Sequence, residues 1–180
     1  MGVRCSVFIA TSLDGFIART DGSIEWLTGG SASGEDYGYG DFIATIDVLV
    51  MGRKTFEVAK SFAQWPYGER RVFVLSSGYP ASGKPLSKTV IGTSAQPKPL
   101  VERLSAEGFS RAYVDGGKAI QSFLRAGLID DMTITHIPIL LGEGIPLFGE
   151  TGKDINLRHV ETKAYPNGFV RSRYEVLTAQ

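Results

Sequence analysis

Two adjacent glycines, Gly116 and Gly117, constrain this chain more than any other feature. Before them lies Arg111-Ala112-Tyr113-Val114, short and β-prone, which reads as a strand. After them Ala119, Ile120, Phe123 and Leu124 have the spacing of the buried stripe of a helix, which Gly127 closes. The pair therefore sits where a strand turns into a helix N-terminus. At such a place bare backbone N–H groups and the positive end of the helix dipole favour an anion. Two missing Cβ atoms also let a ligand approach the main chain closely. A tight structural turn is the competing reading, since glycine pairs mark turns generally.

The rest of the chain supplies the context. Val7-Phe8-Ile9-Ala10, Asp47-Val48-Leu49-Val50-Met51 and Arg71-Val72-Phe73-Val74-Leu75 read as strands, and near-continuous apolar runs of this kind suit strands buried on both faces. Thr89-Val90-Ile91 is a fourth strand, and Met132 to Ile137 a further one, stopped by Pro138. Residues 36–46 have helical spacing weakened by Gly38 and Gly40, and residues 11–18 and 138–148 read as structured loops. Residues 156–163 and 169–177 flank Pro166-Asn167-Gly168, a hairpin signal. Strands alternating with helices, followed by a hairpin, predict an α/β fold. It has a mostly parallel central sheet flanked by helices and an antiparallel C-terminal hairpin, in one domain over residues 1–180.

Composition narrows the function. Nineteen basic and nineteen acidic residues balance, so no basic field points to nucleic acid. Cys5 is the only cysteine, which fits a reducing cytoplasm, and no apolar run reaches membrane-spanning length. His136 and His159 have no metal-ligand company, so no metal is expected.

In open parallel sheets ligands bind at the carboxyl ends of strands. Three such ends carry unusual residues: Gly52-Arg53-Lys54-Thr55, Ser76-Ser77 and Asp115-Gly116-Gly117. Their convergence favours the ligand reading of the glycine pair. Several anion-friendly strand ends suit an extended ligand with several phosphates, such as a dinucleotide. No G-x-G-x-x-G follows the first strand, which excludes the Rossmann fingerprint.

The ordered set of segments resembles a known superfamily. MGRKTF at 51–56, VFVLSS at 72–77 and VDGGKAIQSFL at 114–124 resemble the dihydrofolate reductase-like fold. More narrowly, SLDGFIA at 12–18, Asp115-Gly116-Gly117 and PILLGEGIPLF at 138–148 are similar to the reductase domain of the riboflavin-biosynthesis deaminase-reductase, its C-terminal domain family. The resemblance implies NADPH as cofactor. It assigns the pyrophosphate and 2′-phosphate to Gly52, Arg53, Lys54 and Thr55, and the adenosine end to Leu75, Ser76 and Ser77. Gly116, Gly117, Lys118, Ala119 and Ile120 would pass under the pyrophosphate and nicotinamide, and Ala10 and Ile17 would border the nicotinamide ring. The Arg53–Lys54 pair favours NADP over NAD on its own chemistry, because an extra phosphate dianion needs charge-assisted partners.

On the substrate side the chain departs from these relatives. Folate reductases place a carboxylate five residues after the tryptophan that is Trp26 here, where this chain has Ser31. Riboflavin-pathway reductases carry lysine at the place of Phe16 and glutamate at that of Asp115. Trp26 and Phe16 are the candidate substrate contacts. Asp115 and Asp14 are the candidate catalytic acids, each with a structural alternative: a helix N-cap for Asp115 and an Asp-Gly turn for Asp14. The expected activity is NADPH-dependent reduction of a pyrimidine- or pterin-like heterocycle or of a carbonyl compound. The rival expectation is a non-catalytic NADP-binding module. The apolar residues of 138–148 and the closing strands suggest a homodimer. A cis peptide at Gly116–Gly117 is expected from the superfamily.

Overall fold

The computed structural model describes residues 2–28, 34–80 and 83–177. In chain order the elements are β1 (Arg4–Ser12), β2 (Phe16–Ala18), α1 (Glu25–Thr28), α2 (Tyr39–Ala44), β3 (Val48–Gly52), α3 (Arg53–Ser61), β4 (Arg71–Leu75) and β5 (Lys84–Pro85). They continue with β6 (Val90–Thr93), α4 (Pro97–Ala106), β7 (Arg111–Asp115), α5 (Gly117–Arg125), β8 (Asp131–Ile137), β9 (Ile145–Pro146), β10 (Leu157–Ala164) and β11 (Val170–Val176).

Nine strands form one sheet in the order β10-β11-β8-β1-β7-β3-β4-β6-β5. The six from β8 to β6 are parallel. β11 and β10 add on antiparallel at one edge and β5 at the other. The mostly parallel sheet with an antiparallel C-terminal hairpin is therefore as the sequence predicts.

The apolar runs are buried because helices cover both faces of the parallel region. Alternation along β3 shows this directly. Val48 and Val50 pack with Leu100 and Leu104 of α4 and Ile120 and Phe123 of α5, whereas Leu49 and Met51 pack with Phe42 of α2 and Phe56 and Ala59 of α3. The stripe predicted for α5 is buried, and the helix ends at Gly127, whose φ is 67°. There the Leu128 N–H reaches back to the Phe123 carbonyl at 3.0 Å. A third cluster, of Trp26, Ile137, Tyr165 and Phe169, lies on the β8–β11 side.

Three features differ from the sequence expectations. The helix expected over 36–46 is only Tyr39–Ala44, with Gly38 at φ 85° before it. Segments read as loops contain a second, two-stranded sheet, in which β2 pairs with β9. The apolar loop at 138–148 also divides: Leu147 is 1% exposed and belongs to the core, whereas Leu140 is 69% exposed and Phe148 45%. Ser31 lies outside the described residues.

Candidate active site

A cleft of about 660 Å³ opens at the carboxyl ends of β1, β3, β4 and β7. Two helices begin on it, α3 directly after β3 and α5 directly after β7. The residue before each helix is a glycine, Gly52 or Gly116, and neither helix has a side-chain cap. The first-turn N–H groups have no intrahelical partner, so both helix starts present bare donors and positive dipole ends.

The glycine pair explains how these starts come so close to the rest of the site. Gly116 has φ 89° and ψ 140°, a conformation open essentially to glycine alone. A Cβ on it would stand 2.2 Å from Thr55 Oγ1, so α3 packs directly against it. A Cβ on Gly117 would stand 2.9 Å from the Pro146 carbonyl oxygen and 3.1 Å from Ile17 Cδ1. The β2–β9 sheet thus passes over the start of α5, where Gln121 Nε2 donates to the carbonyls of Pro146 and Leu147, both at 3.2 Å. The cis peptide expected at Gly116–Gly117 is absent: there is no cis bond among the described residues. The chain makes the sharp exit from β7 through the positive φ of Gly116 instead.

Most of the sequence-named cofactor residues line this one cleft. They are Ala10, Ile17, Gly52, Arg53, Lys54, Thr55, Leu75, Ser76, Ser77, Gly116, Gly117, Lys118 and Ala119. Ile120 does not line it, because its side chain is fully buried in the core beneath α5. Ser76 Oγ also accepts the Gly78 N–H at 3.3 Å, so its turn-forming role coexists with its place on the cleft wall. Arg53, Lys54 and Lys118 are exposed at the helix starts, and none forms an ion pair among the described residues.

Asp115 lies on the cleft wall and keeps only partial exposure. Its Oδ1 accepts the Gly116 N–H at 2.8 Å. Burial pushes its carboxyl up to about 6, opposed first by the Gly116 N–H that it accepts and then by the polar hydroxyls of Tyr113 and Tyr67 nearby. Tyr113 donates to the Phe8 carbonyl at 2.8 Å. Burial also pushes Tyr39 up to about 12 and raises Tyr67, with the Asp115 charge adding to both. A carboxyl of this kind holds its proton into the weakly acidic range, which suits a general acid.

Asp14 has different surroundings. It is exposed, and its carboxylate accepts from Ser12 Oγ at 2.6 Å and from the N–H groups of Leu141 and Gly142 at 3.1 and 2.8 Å. These bonds tie the 12–18 loop to the 138–148 loop and hold the carboxyl below its usual range, the Ser12 bond contributing most. Neither Trp26 nor Phe16 is on the cleft lining. Trp26 is 8% exposed within the third cluster while its neighbour Leu27 lines the cleft, and Phe16 pairs with Pro146 in the small sheet.

Tyr67 was missed by sequence reasoning. It reaches the cleft from the α3–β4 connection, where Trp65-Pro66-Tyr67-Gly68 looks only like a loop, and no local signal marks it. Among the described residues no group of three or more His, Cys, Asp or Glu could hold a metal ion. No helix there is long and apolar enough to cross a membrane.

Comparison with known proteins places this arrangement. Residues 5–171 match the model of the RibD C-terminal domain. The chain belongs to that family. YwjB of Bacillus subtilis (strain 168), itself uncharacterized, is 38% identical over 161 residues, covering 88% of this chain and 90% of YwjB. A solved structure from Shewanella sp. PV-4, provisionally named for riboflavin biosynthesis, superposes with a TM-score of 0.88. It is 36% identical over 99% of this chain and all of that one. The bifunctional deaminase/5-amino-6-(5-phosphoribosylamino)uracil reductase of Thermotoga maritima shares the fold, with a TM-score of 0.74 and 14% identity. That match covers 98% of this chain and 57% of the larger protein. The chain is thus a RibD reductase-like protein with the dihydrofolate reductase-like fold.

Proposed function

We propose that this chain is an NADPH-dependent reductase domain acting on a small pyrimidine- or pterin-like heterocycle or on a carbonyl compound. The observation that carries the reading is the meeting of two glycine-preceded, uncapped helix starts with Arg53, Lys54 and Lys118 in one cleft. The residues present fit a dinucleotide. The space a Cβ would fill at Gly116 and Gly117 is already crowded by Thr55, Pro146 and Ile17, so only a bare main chain can serve as the cradle. Membership of the RibD C-terminal domain family supports the same cofactor.

In this reading Gly52 to Thr55 hold the pyrophosphate and 2′-phosphate, and Leu75, Ser76 and Ser77 the adenosine end. Gly116 to Ala119 run under the pyrophosphate and nicotinamide, with Ala10 and Ile17 at the ring. NADPH, when bound, supplies a hydride. Asp115 supplies the proton needed by the nitrogen or oxygen next to the reduced carbon, and its raised affinity for that proton keeps it available near pH 6. The apolar wall of Ile9, Ala10, Ile24 and Leu27 excludes water from that end.

Separate titrations with NADPH and NADH test the cofactor, read by melting temperature and protein fluorescence. NADPH should bind and NADH bind more weakly; if neither has any effect, the reading is wrong. NADPH oxidation over pterins, aminopyrimidines and aldehydes then tests catalysis, and Asp115→Ala should abolish turnover while retaining NADPH binding. Tight NADPH binding without turnover of any substrate would leave a non-catalytic NADP-binding module. A homodimer in a reducing cytoplasm completes the proposal. It is supported by the exposed Leu140 and Phe148 and by β10, an edge strand exposed along its whole length, both typical of surfaces that become interfaces. A monomer mass by light scattering at micromolar concentration would remove the dimer.

A further inference from the structure

Charge is spread unevenly along the cleft. Among the described residues, Arg53, Lys54 and Lys118 are the cationic side chains that line it, and all three stand in the first turns of α3 and α5. Asp115 is the one carboxylate on that lining. Cations close in sequence to lining residues are engaged elsewhere. Arg19 pairs with Glu25, Lys60 with Glu57 at 3.9 Å, and Arg70 Nε donates to the Ile46 carbonyl at 3.0 Å. Residues 1, 29–33, 81–82 and 178–180, outside the described set, contain no lysine or arginine.

Beyond its first turn the cleft face of α3 changes character. Val58 and Phe62 follow Lys54 at four-residue steps, so they continue the same face of the helix to its C-terminal cap. Both line the cleft, Val58 half-buried and Phe62 48% exposed. From Lys54 to Phe62 the stripe runs about 12 Å at the rise of an α-helix. Leu27 of α1 and Ile24 just before that helix add further apolar lining. A largely apolar wall with few polar groups suits an uncharged part of a small molecule. To an anion it offers no charge-assisted partner.

We propose that the compound reduced in this cleft is unphosphorylated, and that its non-reacting part is an uncharged apolar or aromatic group seated along the Val58–Phe62 stripe of α3. This rests on the reading of the cleft as an NADPH-dependent reductase site. In that reading the pyrophosphate and 2′-phosphate of the cofactor bring at least as much negative charge as Arg53, Lys54 and Lys118 bring positive. A phosphate on the substrate would add about −1.5 to −2 near pH 7, with no cation on the lining left to meet it. An anion covered without a partner is strongly disfavoured. Asp115, when ionised, adds repulsion. The cleft thus selects against compounds like the phosphoribosyl one in the name of the Thermotoga maritima protein.

The tests use the full chain. Without cofactor, the uncharged fluorescent probe N-phenyl-1-naphthylamine should bind, and Phe62→Arg should weaken it by about 10-fold or more. Phe62 lies outside the core, so the variant should keep its melting temperature. Equal probe binding by Phe62→Arg, or none by the native chain, overturns the proposal. The chain saturated with NADP+ is then titrated calorimetrically with two matched pairs: 4-methoxybenzaldehyde against 4-formylphenyl phosphate, and 6-phenylpterin against pterin-6-carboxylate. In each pair that binds, the uncharged member should bind tighter by about 10-fold or more. An anionic member that binds as tightly as its partner, or no binding in either pair, overturns the proposal as well. If NADP+ leaves the melting temperature unchanged, the reductase reading fails and the substrate claim with it, whereas the probe still decides the apolar stripe by itself.

Discussion

Gly116→Ala is the most direct perturbation of the turn on which the site is built. Two costs can be read from the structure. The backbone at φ 89° and ψ 140° disfavours any L side chain, a strain of about 1–3 kcal/mol. The new methyl would stand 2.2 Å from Thr55 Oγ1 and 3.2 Å from Thr55 Cβ, overpacking of about 1–3 kcal/mol, reduced if Thr55 rotates. Together these predict a loss of about 2–5 kcal/mol, or about 1–2 M in the urea midpoint at an ordinary slope for a small protein. Equilibrium urea unfolding followed by tryptophan fluorescence measures it. The double variant Gly116→Ala/Thr55→Ala separates the two costs: the clash is relieved and the backbone strain remains, so the pair should be non-additive by about 1 kcal/mol. A loss below about 1 kcal/mol in the single variant would refute the conformational argument. Strict additivity would refute the contact with Thr55.

Lys54→Ala should weaken NADPH by about 10-fold or more and NADH much less, the difference reflecting one charge-assisted phosphate contact, as read by calorimetric titration. Asp115→Asn should flatten the pH dependence of stability. The native fold holds the Asp115 proton up to about 6 against an ordinary 3.8, so this stabilisation is fully present below about 3.8 and is lost as pH rises through about 6. Unfolding free energies from urea titrations should therefore fall by up to about 2–3 kcal/mol between pH 4 and 7 in the native chain relative to Asp115→Asn. Asp14→Ala should leave NADPH affinity unchanged but speed hydrogen exchange at the Leu141 and Gly142 amides, whose acceptor it removes.

What could be read from the sequence follows from how far each feature reaches along the chain. The runs at 48–51 and 72–75 announce strands buried on both faces, and the α5 stripe announces its buried side, because neighbours in sequence carry those patterns. The residues at 52–55, 75–77 and 116–119 were locatable as one site because a parallel sheet brings successive strand ends to the same edge. Tyr67 escapes such reasoning, since it reaches the cleft from a connection with no periodicity. The β2–β9 pair escapes it too. Its strands have three and two residues, and they meet across more than a hundred positions of chain, with Phe16 opposite Pro146. The Asp14-Gly15 turn was visible, but the role of Asp14 in joining two loops depends on Leu141 and Gly142, far away in sequence.

The Gly116–Gly117 turn joins the two halves of the proposed chemistry. The positive φ of Gly116 bends the chain out of β7 so that α5 starts on the cleft, while its own N–H returns to Asp115 Oδ1. One residue thus supplies both the turn into the helix start proposed to hold the phosphates and one of the donors that oppose the burial of the carboxyl. A substitution at Gly116 that keeps the fold should therefore disturb the Asp115 titration as well as the phosphate cradle, whereas one at Gly117, pressing on Pro146 and Ile17, should weaken NADPH binding and leave the Asp115 midpoint in place.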